Sequence, residues 1–347
     1  MSMDNDLFAD AARDVLADQC TPQVVRAIEE GGRTAEATTD LWEQLEATGL
    51  ADALLSEDAG GAGLGLGQVF GVLEQCGAHA LPLPLGETMV ARALLAQAGV
   101  ARPAGSIALA RGEHLANGGL RCALVRSGQV AAAVLVQTGT EWRLLNTADA
   151  QGAAQALALD AALTWTAVQV QAAPAVEVNG ALDVRTLQAA VVAAQMAGAL
   201  KAVFERTLQY ANERQQFGRP IGKFQAIQHQ LAVMSEHVFA ARMAAQLGCS
   251  AGHDGMGVVP DRLRVATAKA RCSEAALVVS ELAHAIHGAI GFTEEYDLQL
   301  FTRRLHAWRQ TAGSEAYWYG VAGEALLHHQ GMTLDIVRRI TDVDTVL

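Results

Sequence analysis

The stretch "NERQQFGRPIGKFQ", residues 212–225, decides the fold. Before it, Leu187, Val191, Val192, Met196, Leu200, Val203, Phe204 and Leu208 recur at helical spacing. After it, a second helical pattern runs from about 224 to 251. Gly218 and Pro220 enforce a break between the two, because proline lacks a helix donor and glycine frees the turn. The break sets a permanent charge, Arg214, beside an aromatic ring, Phe217. A guanidinium fork matches diphosphate oxygens, and a ring packs on a flat heterocycle. The residues fit a diphosphate-and-ring corner, but taken by themselves they favour a loop salt bridge beside a buried Phe.

Outward from this break, the spacing predicts a third helix from Asp261 to about 287 and a fourth from about 315 to 329. Long helices with short links predict an antiparallel four-helix bundle over 181–347. Residues 106–180 differ in texture. "CALVRSGQVAAAVLVQTGTEWRLLN" splits short apolar runs with Ser-Gly and Thr-Gly, and "TWTAVQVQ" alternates Val168 and Val170 with Gln169 and Gln171. These are strand signals and predict a small β-barrel-like middle domain. Residues 1–105 read as helical again. Leu7, Phe8, Ala11, Val15 and Leu16 share a face, Asp40 and Glu43 suggest a capping box closed by Gly49, a further helix follows from Gln68, and "LPLPLG" at 81–86 breaks the chain. The expected fold is mostly α, with a small β unit between two helical domains.

Composition narrows the function classes. Hydrophobic residues are 51% and charged residues 18% of the 347, which supports packed cores and excludes a disordered chain. A net charge of -12 argues against nucleic acid or an anionic membrane surface as partner. No uninterrupted apolar run reaches the ~18 residues of a membrane span. The acidic start argues against a targeting peptide. Five scattered cysteines, with no C-x-x-C, predict reduced thiols in a cytoplasmic protein.

Several motifs carry bland readings. "GGAGLGLG" at 60–67 fails the G-x-G-x-x-G spacing and reads as a loop. "GCSAG" at 248–252 matches a nucleophile elbow in letters but closes a helix instead of a strand. Glu281, His284 and His287 share a helix face without a further ligand pair, so no metal site is expected. "HH" at 328–329 suits the free carbonyls of a helix end. "RRLHAWR" at 303–309 is a local basic patch, either a solvated face or a site for an anionic group such as a nucleotide phosphate.

"NERQQFGRPIGKFQAIQHQLAVM" resembles the signature segment of the acyl-CoA dehydrogenase family of flavoproteins. "HAIHGAIGFTEEYDLQLFTRRLHAWR" is similar to its later Q-x-H-G-G-x-G-[FY] segment, and "LWEQLEATGLADALLSEDAGGAGLGLGQVFGVLEQCG" to its N-terminal helical domain. The likeness covers most of 38–95 and 183–320. It implies FAD held between domains and across a dimer interface. It assigns Arg214, Phe217 and Gln225 to a partner subunit's flavin, Ile221 and Ile227 to the lining, and Gly288 and Gly291 to a turn near the adenine. It implies an acyl-CoA substrate, α,β-dehydrogenation with a glutamate base, and a homodimer, homotetramer or heterotetramer. Electron-transfer flavoprotein would take the electrons if the chain is active.

The departures are specific. The two positions at which the family places its base read Ala312 and Gln188, and an Arg that follows the second reads Ala189. Glu315 lies near the first, although after Ser314 it reads as a first-turn acid of a helix; Asp183 is a weaker candidate. The usual Gln and second Gly of the later segment read Ala285 and Ala289. The T-E-P, G-S-D and W-[IK]-[ST]-N segments that hold a chain's own flavin are absent from the β unit. Four readings follow: a non-catalytic subunit in a mixed assembly, a homomeric dehydrogenase with a relocated base, a flavin-dependent monooxygenase of the same fold, and a cofactor-free scaffold.

Overall fold

A computed structural model of the chain describes residues 3–342 except Ala158, Asn179, Ala181 and residues 251–257, with backbone alone for 3–6. Helices open it: α1 (Met3–Gln19), α2 (Pro22–Gly31), α3 (Glu36–Ala47), α4 (Phe70–Ala78) and α5 (Leu85–Gln97). Strands follow: β1 (Ile107–Arg111), β2 (Glu113–His114), β3 (Leu120–Val125), β4 (Ala133–Thr138), β5 (Glu141–Asn146), β6 (Gln151–Ala154) and β7 (Ala161–Trp165), then a short α6 (Ala167–Ala172). The long α7 (Val184–Glu213) leads through the two-residue strands β8 (Gln215–Gln216) and β9 (Arg219–Pro220) into α8 (Gln225–Cys249). Helices α9 (Arg262–His287), α10 (Leu298–Gln310), α11 (Glu315–His328) and α12 (Thr333–Thr341) complete it.

The middle strands form two sheets, ordered β1-β4-β5 and β2-β3-β7-β6. β1 runs parallel to β4 in the register Ile107↔Ala133 to Arg111↔Gln137. Successive strand residues point to opposite faces. Ile107, Leu109 and Leu135 therefore join the helical core, while Ala108, Val134 and Val136 join a second core against the other sheet. Burial on both faces explains why "IALA" and "AVLV" are unbroken apolar runs. The first sheet is pressed directly against α5 and α7, and this sets the volume available between the β unit and the bundle.

Helix α7 is a central rod. From Val184 to Val203 every residue but Arg185 and Lys201 is buried. Its length and composition would suffice to cross a membrane, yet 83% of that apolar window is buried inside the protein. Glycines set its closest crossing. A Cβ on Gly198 would overlap the carbonyl oxygen of Glu74, and one on Gly77 that of Gln195. Helices α4 and α7 thus meet backbone to backbone.

Several local expectations are corrected. Helix α3 begins at Glu36, so Asp40 lies inside it and caps nothing; Gly49 does end it, in the left-handed region at φ 74°. The fourth N-terminal helix starts at Phe70, two residues after Gln68. "TWTAVQVQ" is not a strand throughout. Thr166 and Gln169 make a reciprocal capping box, and that local exchange turns 167–172 into a helix with Val168 exposed. "GGAGLGLG" is a loop, as expected. Ser250 caps α8; the last two residues of "GCSAG" and all of "HDGMG" lie outside the described residues. All five cysteines are free and buried, and burial pushes each thiol up to about 12.

Candidate functional site: a hairpin cleft and a sealed junction

The break between α7 and α8 is a tight hairpin. Gln215 pairs with Pro220 and Gln216 with Arg219. Its two turn residues, Phe217 (φ 52°) and Gly218 (φ 79°), both have positive φ, the geometry that matches the twist of a two-residue hairpin. Glycine reaches this region freely; for Phe217 it costs about 1–2 kcal/mol. The turn is held from both sides. The Arg214 amide donates to the Tyr210 carbonyl at 2.8 Å, and the Ile221 amide to the Arg214 carbonyl at 2.8 Å. The Arg219 guanidinium lies 4.2 Å above the Phe224 ring, whose edge meets Phe217 at 6.1 Å. The strain is spent on display: Phe217 is 91% exposed. Arg214 is exposed too and forms no ion pair among the described residues.

Behind the hairpin opens a cleft of about 420 Å³. Arg214, Phe217, Ile221 and Ile227 line one side, and Ile286, His287 and Gly288 the other. Five expected positions therefore converge in space although 74 residues separate the first from the last. Gln225 is exposed in the first turn of α8 and Gly291 is buried; neither lines the cleft. Gly288 ends α9 at φ 65°. Tyr210 and His287 were not singled out in the sequence. Tyr210 lies one helical turn before Arg214 on the same face, and that spacing could have pointed to it. The two rings stack at 4.4 Å. His287 Nδ1 is 2.8 Å from the Ala283 carbonyl, which can only accept, so Nδ1 carries the proton and Nε2 accepts from the Tyr296 hydroxyl at 3.2 Å. Burial lowers the His287 pKa, against the opposing effect of the Ala283 carbonyl, and so favours the neutral imidazole.

The base positions lie elsewhere. Ala312 (φ 57°) and Gly313 (φ 105°) form the turn between α10 and α11. Its carbonyls are tied down. Trp318 Nε1 donates to the Ala312 oxygen at 3.0 Å, and Lys269 Nζ to the oxygens of Arg309 and Gly313 at 3.0 Å each. Lys269 is fully buried, and burial drives its pKa down to about 7. Glu315 hydrogen-bonds Arg309. Burial raises its pKa, but the Arg309 contact outweighs that and the net shift is downward, which makes Glu315 a poorer proton acceptor. Asp183 caps α7 and pairs with Arg262 at 2.6 Å. Gln188 is buried and donates to the Leu109 carbonyl at 2.7 Å.

At the junction between the β unit and the bundle, Arg126 is the central contact among the described residues. Arg126, 4% exposed, lies 3.6 Å from the fully buried Glu87, hydrogen-bonds Gln195 on α7, and packs 5.0 Å over the Trp308 ring of α10. Glu87 also accepts from the Leu109 amide at 2.7 Å; Asp160 accepts from the Ser127 amide at 3.0 Å. The cavity left beside Arg126, Asp160 and Trp308 measures about 20 Å³, room for roughly one water.

The remaining motifs resolve as structure. In "RRLHAWR", Arg303 and Arg304 share Glu29, and Arg309 pairs with Glu315, so each of its arginines already faces a carboxylate. His284 stacks on Phe292 at 4.2 Å, and no metal-ligating cluster occurs among the described residues. His328 Nδ1 bonds the Glu324 carbonyl at 2.7 Å.

Comparison with known proteins agrees with this architecture. The family model for the acyl-CoA dehydrogenase N-terminal domain matches residues 2–102, and that for the C-terminal domain residues 184–327. The chain is 30% identical to acyl-CoA dehydrogenase IpdE2 of Mycolicibacterium smegmatis over 318 residues, 90% of this chain and 96% of the relative. The solved Tcur3481-Tcur3483 steroid ACAD is 27% identical, with a TM-score of 0.79 over 93% of this chain and 97% of that one. The ChsE4-ChsE5 complex from Mycobacterium tuberculosis shares the fold at a TM-score of 0.81 and 21% identity, covering 95% and 99% of the two chains. With a helical N-terminal domain, a middle β unit and the hairpin between the first two bundle helices, the chain belongs to the acyl-CoA dehydrogenase family.

Proposed function

We propose that the chain is the non-catalytic subunit of a mixed acyl-CoA dehydrogenase. It would lend its hairpin to a flavin held by a homologous partner, and that partner would supply the glutamate base for α,β-dehydrogenation of a CoA thioester. The asymmetry of the two candidate regions carries this reading. The hairpin cleft is open, with an unpaired guanidinium and an exposed ring. At the junction beside the chain's own β unit, Arg126 packs with Trp308, Gln195 and Glu87, and the cavity beside Arg126 and Trp308 measures only about 20 Å³.

The residues present therefore fit FAD in one place and not in the other. FAD bound at the cleft would serve as hydride acceptor for the partner's substrate. Arg214 would hold the diphosphate with its planar fork, Phe217 would cover a ring edge, and Ile221 and Ile227 would exclude water. The stacked Tyr210–His287 pair gives the cleft an aromatic wall. Ala312 and Gln188 cannot take a proton, and Glu315 is engaged by Arg309. The names of the two-chain relatives, a ChsE4-ChsE5 complex and a Tcur3481-Tcur3483 ACAD, support a heterotetramer over a homodimer or homotetramer. Within the chain, the working units are 1–105, 106–180 and 181–347; a cytoplasmic location and electron-transfer flavoprotein as acceptor complete the reading.

The test is Arg214→Ala, assayed in the complex with a homologous subunit that carries the glutamate base. A charge-assisted bidentate contact is worth about 1.5–3 kcal/mol, so flavin affinity of the complex should fall at least tenfold while the chain's own unfolding is unchanged. Unchanged flavin affinity would refute the lent hairpin. Absence of flavin in every complex would favour a scaffold.

A further inference from the structure

A second cleft, of about 400 Å³, lies among α1, α2, α4, α7 and α10 and shares no lining residue with the hairpin cleft or the junction. Arg206 lines it. This half-buried guanidinium lies 4.2 Å over the Phe301 ring and donates to the Ala202 carbonyl at 3.3 Å. It forms no ion pair among the described residues, in contrast to the buried Arg92, Arg126 and Arg304, which each face a carboxylate. The acids near it are engaged: Glu74 by Arg242 at 2.6 Å, Asp297 by Arg26 at 2.8 Å, and Glu205 by Lys201 at 3.9 Å. Asp297 and Glu205 act on Arg206 only through space, without an ion-pair contact, so its fork has no carboxylate in hydrogen-bond reach among the described residues.

The rest of the lining defines what would supply it. Val25, Leu300 and Phe301 give an apolar wall beside the guanidinium, and Lys201 and Arg13 stand at the same cleft. His79 is pushed toward its neutral form by burial and by Arg206, so it offers a polar contact without charge. Glu74 and Glu205 also border the space and would oppose a dianion more than a monoanion. The volume suits a small molecule.

We infer that this cleft binds a small amphipathic monocarboxylate, its carboxylate on the Arg206 fork and its apolar body against Phe301, Leu300 and Val25. A planar fork and a carboxylate pair bidentately, and the aliphatic tail takes the apolar wall. The site is independent of the flavin reading.

Calorimetric titration of the full chain with hexanoate, inorganic phosphate and hexanol tests this. The expected result is one saturable hexanoate site per chain, with phosphate and hexanol at least tenfold weaker. Arg206→Gln should weaken hexanoate at least tenfold. Ala17→Glu, at an exposed position lining the cleft, leaves the core untouched and should weaken it similarly by adding a carboxylate to the lining. No saturable hexanoate binding, unchanged affinity in a folded variant, or phosphate binding tighter than hexanoate would overturn the assignment.

Discussion

Replacing Arg126 by Met separates a structural junction from a cofactor pocket. Arg126 is 4% exposed and faces Glu87, which is fully buried. Methionine keeps most of the stem volume but removes the charge from Glu87, Gln195 and Trp308. Breaking a buried pair from one side costs about 3–5 kcal/mol, against a total stability of about 5–15 kcal/mol. Protonation of Glu87 limits that cost at low pH. Burial already raises the Glu87 pKa above its ordinary value, against the opposing effect of Arg126, and losing Arg126 raises it further. A carboxyl with a raised folded pKa is protonated in the native state and ionised in the unfolded chain at intermediate pH. Stability is therefore lost as pH rises through that interval, by up to about 1.4 kcal/mol per pH unit. Urea unfolding at pH 5 and pH 8 should show an Arg126→Met penalty that grows with pH. Adding Glu87→Gln should flatten the slope and recover much of the loss, a coupling of about 1–3 kcal/mol. A cost below about 1 kcal/mol, independent of pH and additive with Glu87→Gln, would refute the filled junction.

Two further perturbations have opposite signs or a defined pH course. Phe217→Gly should relieve the left-handed strain and change stability by about 0 to +1 kcal/mol in calorimetry, while lowering flavin affinity of the complex because the exposed ring is gone. Lys269 has a folded pKa of about 7, below its ordinary value. The unfolded chain binds the extra proton above that pH, so stability should rise from pH 7 toward 10, and Lys269→Met should remove that rise in paired urea titrations.

The chain order of the fold was legible because each signal was local. The helical period breaks at Gly218 and Pro220, and the strands carry their own turn punctuation. The hairpin was legible as a ligand-facing corner because Arg214, Phe217 and Ile221 lie within eight residues. The junction was not. Arg126 meets Glu87 and Gln195 from 39 and 69 positions away, and neither separation leaves a period in the sequence. The strand misread at 167–172 has a similar cause: alternating Val and Gln obeys period two, but Thr166 with Gln169 outweighs it by capping a helix turn. Asp40 lost to a helix that begins four residues earlier at Glu36, without a side-chain cap. In "RRLHAWR" the pairing of Arg303 and Arg304 was hidden because Glu29 is distant in sequence.

The flavin content of the chain, read from its visible absorbance when purified alone and after co-expression with a homologous subunit that carries the glutamate base, tests the central claim most directly. The account predicts no stoichiometric flavin on the chain alone, one FAD per pair of unlike subunits in the complex, and loss of that flavin with Arg214→Ala. One FAD per chain in the isolated protein, with oxidation of acyl-CoA thioesters, would contradict it.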